Sequence, residues 1–571
     1  MLESAGFHQA RIGLFLVGLM WVFPFLYYRH QYPLTTFDQE WWCALLGVLA
    51  ASIGMLLDPD CWKSPQIPRI ATLPAALILL ALLQSALGLI VYFDQALLYI
   101  LYLLFALLLM ALGVHLRDRL GFDRMAFLLA VFLLLGAELD AVIGVLQHFH
   151  WRTPFDTVIV KAYATVYGNL AQANHFADYI ALGLISLGLL FQLRRVNVAA
   201  VVLLVLPLLF VMTLSASRSS WLYLAAMALL AWRSGAVMLQ RYCLMLLAGF
   251  VLMHGIVELL PGGITTWQRF AGEDGSGGIR LYLWHEAWLI FKQSPLLGAG
   301  FGQFAWQHFL LGPILHRTNI TGLYDNAHNL IFQLGAETGI AGLAVFFTAL
   351  AAWFHGLMRI EMNPARWWAY SVLAVLCVHS LLEYPLWYSY FMSIAAVLLG
   401  ALDERRYRLR GVGAAPLAVV LLAGMFALYQ LRAGYQEIKG MLVTTPASGA
   451  AFERDFMVMR GKSILSPLAD FFASSYIEVN ADHLDEKLAF NGKVMRFMPV
   501  AEPAYLQAYL LAQDGRMDQA KSAFEQAYWS YPYEDQKQLV KLADKDPAHF
   551  AALLKFAHQT EQEYAGAIHN K

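Results

Sequence analysis

Apolar residues run through most of this 571-residue chain in repeated blocks of roughly 17 to 22, set apart by short polar loops. A block of that length crosses roughly 30 Å of hydrocarbon as an α-helix, and helix is one of two backbone forms that satisfy their own hydrogen bonds there. The chain therefore reads as an all-α polytopic membrane protein with about thirteen transmembrane helices. The predicted spans are 12–28, 42–57, 74–92, 96–115, 125–146, 176–193, 197–214, 219–232, 240–260, 338–358, 367–382, 386–402 and 414–432. Composition agrees: 59% of residues are hydrophobic, 14% are charged and the mean hydropathy is +0.55, which excludes an ordinary soluble globular protein. The first block follows a mixed-charge stretch and has no small-residue cleavage site, so it is expected to stay as a span. A net charge of −1 says nothing about nucleic acid, but no basic tail is present and no nucleic-acid partner is expected. Cys43, Cys61, Cys243 and Cys377 lie in or beside spans without metal-ligand spacing and read as small packing residues.

Positive side chains are retained on the cytoplasmic side, and here they alternate. Arg117, Arg119 and Arg124, then Arg194 and Arg195, Arg233 and Arg241, Arg359 and Arg366, and Arg405, Arg406, Arg408 and Arg410 fill every second loop. This puts the N-terminus in the cytoplasm and, after an odd number of crossings, the C-terminal segment outside. The polar segments 147–175, 213–220, 261–337 and 379–388 then all fall on the outer face, which points to one extracytoplasmic site. The expected division is a transmembrane catalytic domain, 1–432, with a large extracytoplasmic loop, 261–337, followed by an extracytoplasmic helical domain, 433–571. Within the latter, "PAYLQAYLLAQDGRMDQAKSAFEQAYWSYP" (503–532) has the spacing of a tetratricopeptide (TPR)-like helix pair. One pair cannot bury its own face, so helices from 450–500 and 535–565 are expected to pack with it.

Ionisable groups at a membrane are costly and mark function. Arg218, set among serines in "SASRSSW", is either a snorkelling interface residue or part of a polar pocket. Arg280 opens a stretch, 279–292, with helical amphipathic period that ends at the break "SPLLGAG"; Glu286 and Lys292 there read as solvated face charges. His328 in "YDNAHN" has Asp325, Asn326 and Asn329 beside it to orient an imidazole, and Gly335, Gly339 and Gly342 beyond it permit a bend or close helix approach. "GNLAQANHFADY" supplies Asn169, Gln172, Asn174 and His175, with Asn174 a candidate N-cap. His379 and Glu383, four apart, are expected on one helix face as an ion pair or as substrate contacts. Glu138 and Asp140 line either a pocket or a bundle seam, and Glu273 and Asp274 read as a solvated turn. Two guanidiniums and an imidazole suit a doubly charged phosphate group, such as a lipid-linked diphosphate. With no carboxylate-rich loop, neither a metal nor another cofactor is expected.

The stretches "QANHFADYIALG", "LSASRSSWL", "RLYLWHEAWLIFKQSPLLGAGFGQF", "NAHNLIFQLGAETGIAGL" and "HSLLEYPLWYSYF" together resemble the bacterial O-antigen ligase and polymerase superfamily (Wzy_C type), and within it the PglL-type protein O-oligosaccharyltransferases. The resemblance covers most of 165–391; the first four spans match only as hydrophobic segments. It implies a GT-C-like glycosyltransferase of the bacterial inner membrane with a periplasmic site. Such an enzyme transfers a preassembled oligosaccharide from undecaprenyl diphosphate to Ser or Thr of a pilin or other periplasmic protein, without metal; single-face attack on the anomeric carbon would invert its configuration. It further implies that His328 is the essential residue and that Arg218 and Arg280 hold the diphosphate. The same site would serve an O-antigen ligase acting on lipid A core or a chain polymerase. A lipid or solute transporter is the rival from another class, but polar groups gathered at one face and the lack of an evident internal repeat argue against it. A non-catalytic scaffold that docks partners through the tail is the remaining alternative.

Overall fold

The computed structural model describes the chain apart from residues 1, 64, 152, 154–155, 163, 261–265, 267–275, 319, 359, 409–412, 414, 444–457, 459–462, 533–535 and 570–571. Glu273 and Asp274 thus lie outside the described residues. The protein is an all-α, multi-pass membrane protein. A helix occurs in each of the thirteen apolar segments. Nine helices among the described residues are long and apolar enough to cross a bilayer, and Val198–Leu214 and Ser389–Leu402 are shorter apolar helices. Their ends follow local chemistry. Asn197 and Asn363 each accept a hydrogen bond from the backbone N–H three residues on, at 2.9 and 2.8 Å, which starts Val198–Leu214 and Pro364–Ser380. Gly235, with φ of 68°, ends Ser219–Ser234.

The chain forms two compact units. The first comprises residues 1–76, 102–274 and 345–428. At its centre is the helix Ala173–Gln192, 89% buried, packed by Leu133, Leu209, Tyr242, Trp367 and Trp368. Because protein surrounds this helix, its polar groups meet partners instead of lipid: Tyr179 donates to the Trp21 carbonyl at 2.8 Å, and Trp368 Nε1 donates to Ser186 Oγ at 3.0 Å. A short antiparallel pair, Gln66–Pro68 with Arg406–Arg408, ties two loops of this unit together.

The second unit comprises residues 77–101, 275–344 and 429–571. Its C-terminal helices Leu484–Phe497, Ala501–Gln513, Met517–Ser530, Gln536–Lys545 and Pro547–His569 bury Tyr505, Tyr509, Phe524, Tyr528 and Trp529 in one core. Leu488 and Met495 close that core from one side, and Leu539, Phe550 and Leu553 from the other. These are the flanking helices that the single pair needs.

The helix Leu330–Leu357 breaks at Gly339, where φ is 61° and ψ is −159°. The break would strand peptide groups, but the segment after helix Ser276–Gln293 takes them up. Ala299 and Gly300 donate to the carbonyls of Ala336 and Glu337 at 2.9 and 3.0 Å, while Ile340 and Ala341 donate to those of Pro295 and Leu296 at 2.8 and 3.1 Å. Gln84 Nε2 adds bonds to the Leu297 and Glu337 carbonyls at 2.7 and 2.8 Å. A Cβ on Gly339 would lie 2.6 Å from Leu296 backbone atoms, so this glycine provides both the bend and the close approach that the sequence suggests. Gly339→Ala is expected to destabilise the second unit by at least about 2 kcal/mol, since this region of φ and ψ is nearly restricted to glycine and a clash adds to it. Thermal unfolding in detergent compared with Gly335→Ala, where an added Cβ has no neighbour nearer than 3.5 Å, checks this; equal melting of wild type and Gly339→Ala would refute it.

Candidate active site

The first unit gathers Gln172, Asn174, His175, His379 and Glu383 around the entrance of helix Ala173–Gln192. Gln172, not Asn174, is its N-cap: the Gln172 Oε1 accepts from the His175 N–H at 2.5 Å. Its longer side chain reaches back to the first turn and leaves Asn174 free to turn outward. The Asn174 amide then bridges two segments, donating to Glu383 Oε1 at 2.7 Å and accepting from Ser217 Oγ at 2.7 Å. His379 and Glu383 do not share one helix, because Pro364–Ser380 ends between them. His379 Nδ1 is bonded to the Tyr223 hydroxyl and lies 3.4 Å from Asp178, and its ring is 5.2 Å from that of His175. Tyr223 and Asp178, both buried, are members of the cluster that sequence reasoning missed. Asn169 is structural instead: its side chain bonds the Leu26 and Thr157 carbonyls, each at 2.9 Å, and the Ile159 N–H at 3.1 Å. Asp140 is buried beside Gly168, and Glu138 is half-buried.

Arg218 belongs to the same unit. It sits at the start of helix Ser219–Ser234, half-buried, in a turn in which Ala216 takes a positive φ of 50°. Ser217 Oγ lies 2.8 Å from Ser219 Oγ, and the Ser217 N–H reaches Ser215 Oγ at 3.3 Å. The hydroxyls therefore satisfy the turn and, through Asn174, join it to Glu383.

Arg280 and His328 belong to the second unit. His328 is half-buried and has a φ of 52°, a left-handed conformation that costs about 1–2 kcal/mol in a residue other than glycine. The surrounding side chains hold it there. Asn326 Oδ1 accepts from the His328 N–H at 2.7 Å, and Asn329 Oδ1 caps the following helix by accepting from Ile331 and Phe332 at 3.0 and 3.2 Å. Gln333, which the sequence did not single out, reaches back from that helix: its Oε1 accepts from Ala327 N–H at 2.7 Å and its Nε2 donates to the Asp325 carbonyl at 3.4 Å. The Asp325 side chain is exposed, and Asn326 Nδ2 is buried without a partner among the described residues. A strained backbone persists only where its surroundings over-determine it, and here these side chains do so.

Glu286 corrects an expectation. It is not a solvated charge: with 1% exposure, it accepts from His308 Nδ1 at 2.6 Å and lies 3.1 Å from Arg317 Nη1. Arg317, 4% exposed, places Nη1 2.7 Å from the His308 ring nitrogens and donates from Nη2 to the His308 carbonyl at 2.9 Å. Burial, aided by the Arg317 charge, lowers the His308 pKa, so the imidazole stays neutral at pH 7. Burial also lowers the Arg317 pKa, against the attraction of Glu286. Helix Ser276–Gln293 buries Leu283, Glu286, Ala287 and Ile290 on one face, with Leu281, Tyr282 and Trp288 exposed.

The first unit thus holds a hydrogen-bonded arginine turn, and the second a loop that fixes the His328 backbone. Residues 166–191 match the family described as protein glycosylation ligase, 200–347 match O-antigen ligase, and 367–544 match virulence factor membrane-bound polymerase, C-terminal. Two relatives come from Acinetobacter baylyi. A general O-oligosaccharyltransferase is 25% identical over 406 residues, 68% of this chain and 69% of the relative. A ComP-specific O-oligosaccharyltransferase is 21% identical over 374 residues, 64% and 67% of the two chains. The chain is thus a relative of the O-antigen ligases and protein glycosylation ligases. It is an enzyme of the oligosaccharyltransferase class.

The Asn174 bridge makes a sharp prediction. Asn174→Asp sets a carboxylate against Glu383 and is expected to lower transfer at least roughly tenfold, like charges at hydrogen-bond distance being strongly unfavourable. The double variant N174D/E383Q restores a donor and an acceptor and should recover most of the loss. Transfer rates of the three proteins check this, and a double variant no better than N174D would reject the bridge.

Proposed function

We propose that the protein carries out O-linked protein glycosylation: it transfers a preassembled oligosaccharide from undecaprenyl diphosphate to a Ser or Thr hydroxyl of a pilin-like or other periplasmic protein. The observation that carries this reading is the His328 loop, strained and bonded on both sides, in a chain related to O-oligosaccharyltransferases. The chain crosses the bacterial inner membrane thirteen times, with its N-terminus in the cytoplasm and its active site and C-terminal helices in the periplasm. The transmembrane catalytic part extends through 432, with 261–337 as its large outer loop, and 433–571 is a TPR-like domain.

In this mechanism Arg218 and Arg280 clamp the diphosphate, whose leaving-group charge grows as the glycosidic bond breaks. The diphosphate is already a good leaving group, so the protein's main task is to neutralise that charge and aim the hydroxyl at the anomeric carbon. His328 acts at one of two atoms: it accepts the acceptor hydroxyl's proton, or it donates to the oxygen that joins sugar to phosphate. Attack on the face opposite the leaving group inverts the anomeric configuration. Gln172, Asn174, His175, His379 and Glu383 shape the pocket beside Arg218, and Asp325, Asn326 and Asn329 set the His328 ring.

The test mixes purified protein, undecaprenyl-diphosphate-linked oligosaccharide and a purified pilin, and follows the pilin mass. A glycan mass increment is expected with wild type. His328→Ala should reduce transfer roughly 10²- to 10⁴-fold, the usual range for an acid–base group. If His328 is the base, donor binding survives that change; if it grips the phosphate, donor binding falls with it. Arg218→Ala and Arg280→Ala should each cost roughly 10²- to 10³-fold. A mass increment on lipid A core and none on pilin would make the protein an O-antigen ligase.

A further inference from the structure

Within the second unit, helix Ser276–Gln293 carries Arg280, and the loop before Leu330 carries His328. Two kinds of contact join them. The first is apolar: Leu283, Ala287 and Ile290 of the helix share a core with Phe304, Leu311, Ala327 and Ala336, and Trp284 stacks on Phe332 with ring centroids 5.4 Å apart. Such contacts hold surfaces together, but they are non-directional and leave the exact register weakly determined. The second is the buried Glu286–His308–Arg317 triad, whose members come from the Arg280 helix, from helix Phe304–Leu315 and from the start of the loop that leads to His328.

The triad reaches that loop directly. The His308 ring packs 5.4 Å from Tyr324, the residue before Asp325. The C-terminal helices close the arrangement from the other side. The Gly322 N–H donates to the Ser530 carbonyl at 2.8 Å, the His316 ring stands edge-on to Trp529 at 5.0 Å, and Phe309 is buried in the core of Tyr505, Tyr509 and Tyr528. Helix Phe304–Leu315 therefore has Phe304 and Leu311 in the core with the Arg280 helix and Phe309 in the core with the C-terminal helices.

Stability alone does not account for three buried charged or polar groups, because apolar side chains of similar size usually hold such a position as well or better. A planar guanidinium and two fixed acceptors do what apolar groups cannot: they define a single relative placement of the elements they join. We propose that Glu286, His308 and Arg317 are positioning residues for glycan transfer, fixing the distance between Arg280 and His328, and that Met517–Ser530 of the C-terminal segment serves as the wall that keeps them dry. This rests on the functional reading above.

The test compares three proteins in the pilin assay, with kcat and donor KM measured separately. In the triple variant E286L/H308L/R317M the charges are gone together, so membrane insertion and thermal unfolding are expected to stay near wild type. Its kcat is expected to fall about 10- to 100-fold with donor KM changed less than about threefold, the pattern of lost alignment. Arg317→Lys keeps the charge but not the planar fork, and guards against a triple variant that fails to fold. It should retain the fold and lose kcat about tenfold. Wild-type kcat in a folded triple variant, or in Arg317→Lys if the triple variant does not fold, would overturn the proposal. A wild-type enzyme that transfers no glycan to any acceptor would instead overturn the functional reading beneath it.

Discussion

A peptide group inside hydrocarbon has no water to bond, so every irregularity of the backbone must bring its own partners. Most of this chain meets that demand by plain helix. Where it departs, at Gly339, the segment 295–300 supplies main-chain donors and acceptors on both sides of the break, and Gln84 completes the set. The helix that begins just after His328 thus ends its first part against a fixed seam, while Asn329 and Gln333 secure its start. The His328 backbone is thus followed by a short helical segment anchored at both ends.

The arginine turn of the first unit is built on another logic. Helix Ala173–Gln192 is enclosed by protein, and that enclosure makes a polar entrance affordable in a membrane. Gln172 caps the helix and Asn174 spans from the Ser217 turn to Glu383, so one amide fixes the ground on which Arg218 stands. The two units share one device: small polar side chains satisfy backbone groups at a helix entrance, Gln172 in the first and Asn326 and Asn329 in the second.

The spans are legible in the sequence because each apolar block needs no distant partner to be a helix. The polar stretches around Asn174 and His328 stand out because each interrupts the apolar pattern at a helix entrance, although capping alone can place an amide there. Assigning the cap was harder: Gln172 and Asn174 are both amides, and only side-chain reach decides which one folds back. Glu286 was beyond local reasoning altogether. Its environment depends on His308, 22 residues away, and on Arg317, so helical period alone assigns it to solvent. The signal present in the sequence is a His and an Arg within about thirty residues of that Glu, in a segment with few other charges. Tyr223 and Asp178 were hidden differently, since each reads as an ordinary helix residue until the fold brings His379 alongside.

The seam at Gly339 is made almost wholly of main chain, with glycine where the strands of backbone touch. Gln84 is the side chain that bonds into it, at the Leu297 and Glu337 carbonyls, so side chains that face away from the seam do not set its spacing. The positions closed to exchange are therefore glycines such as Gly298 and Gly339, where a Cβ would run into backbone and which carry no chemistry at all.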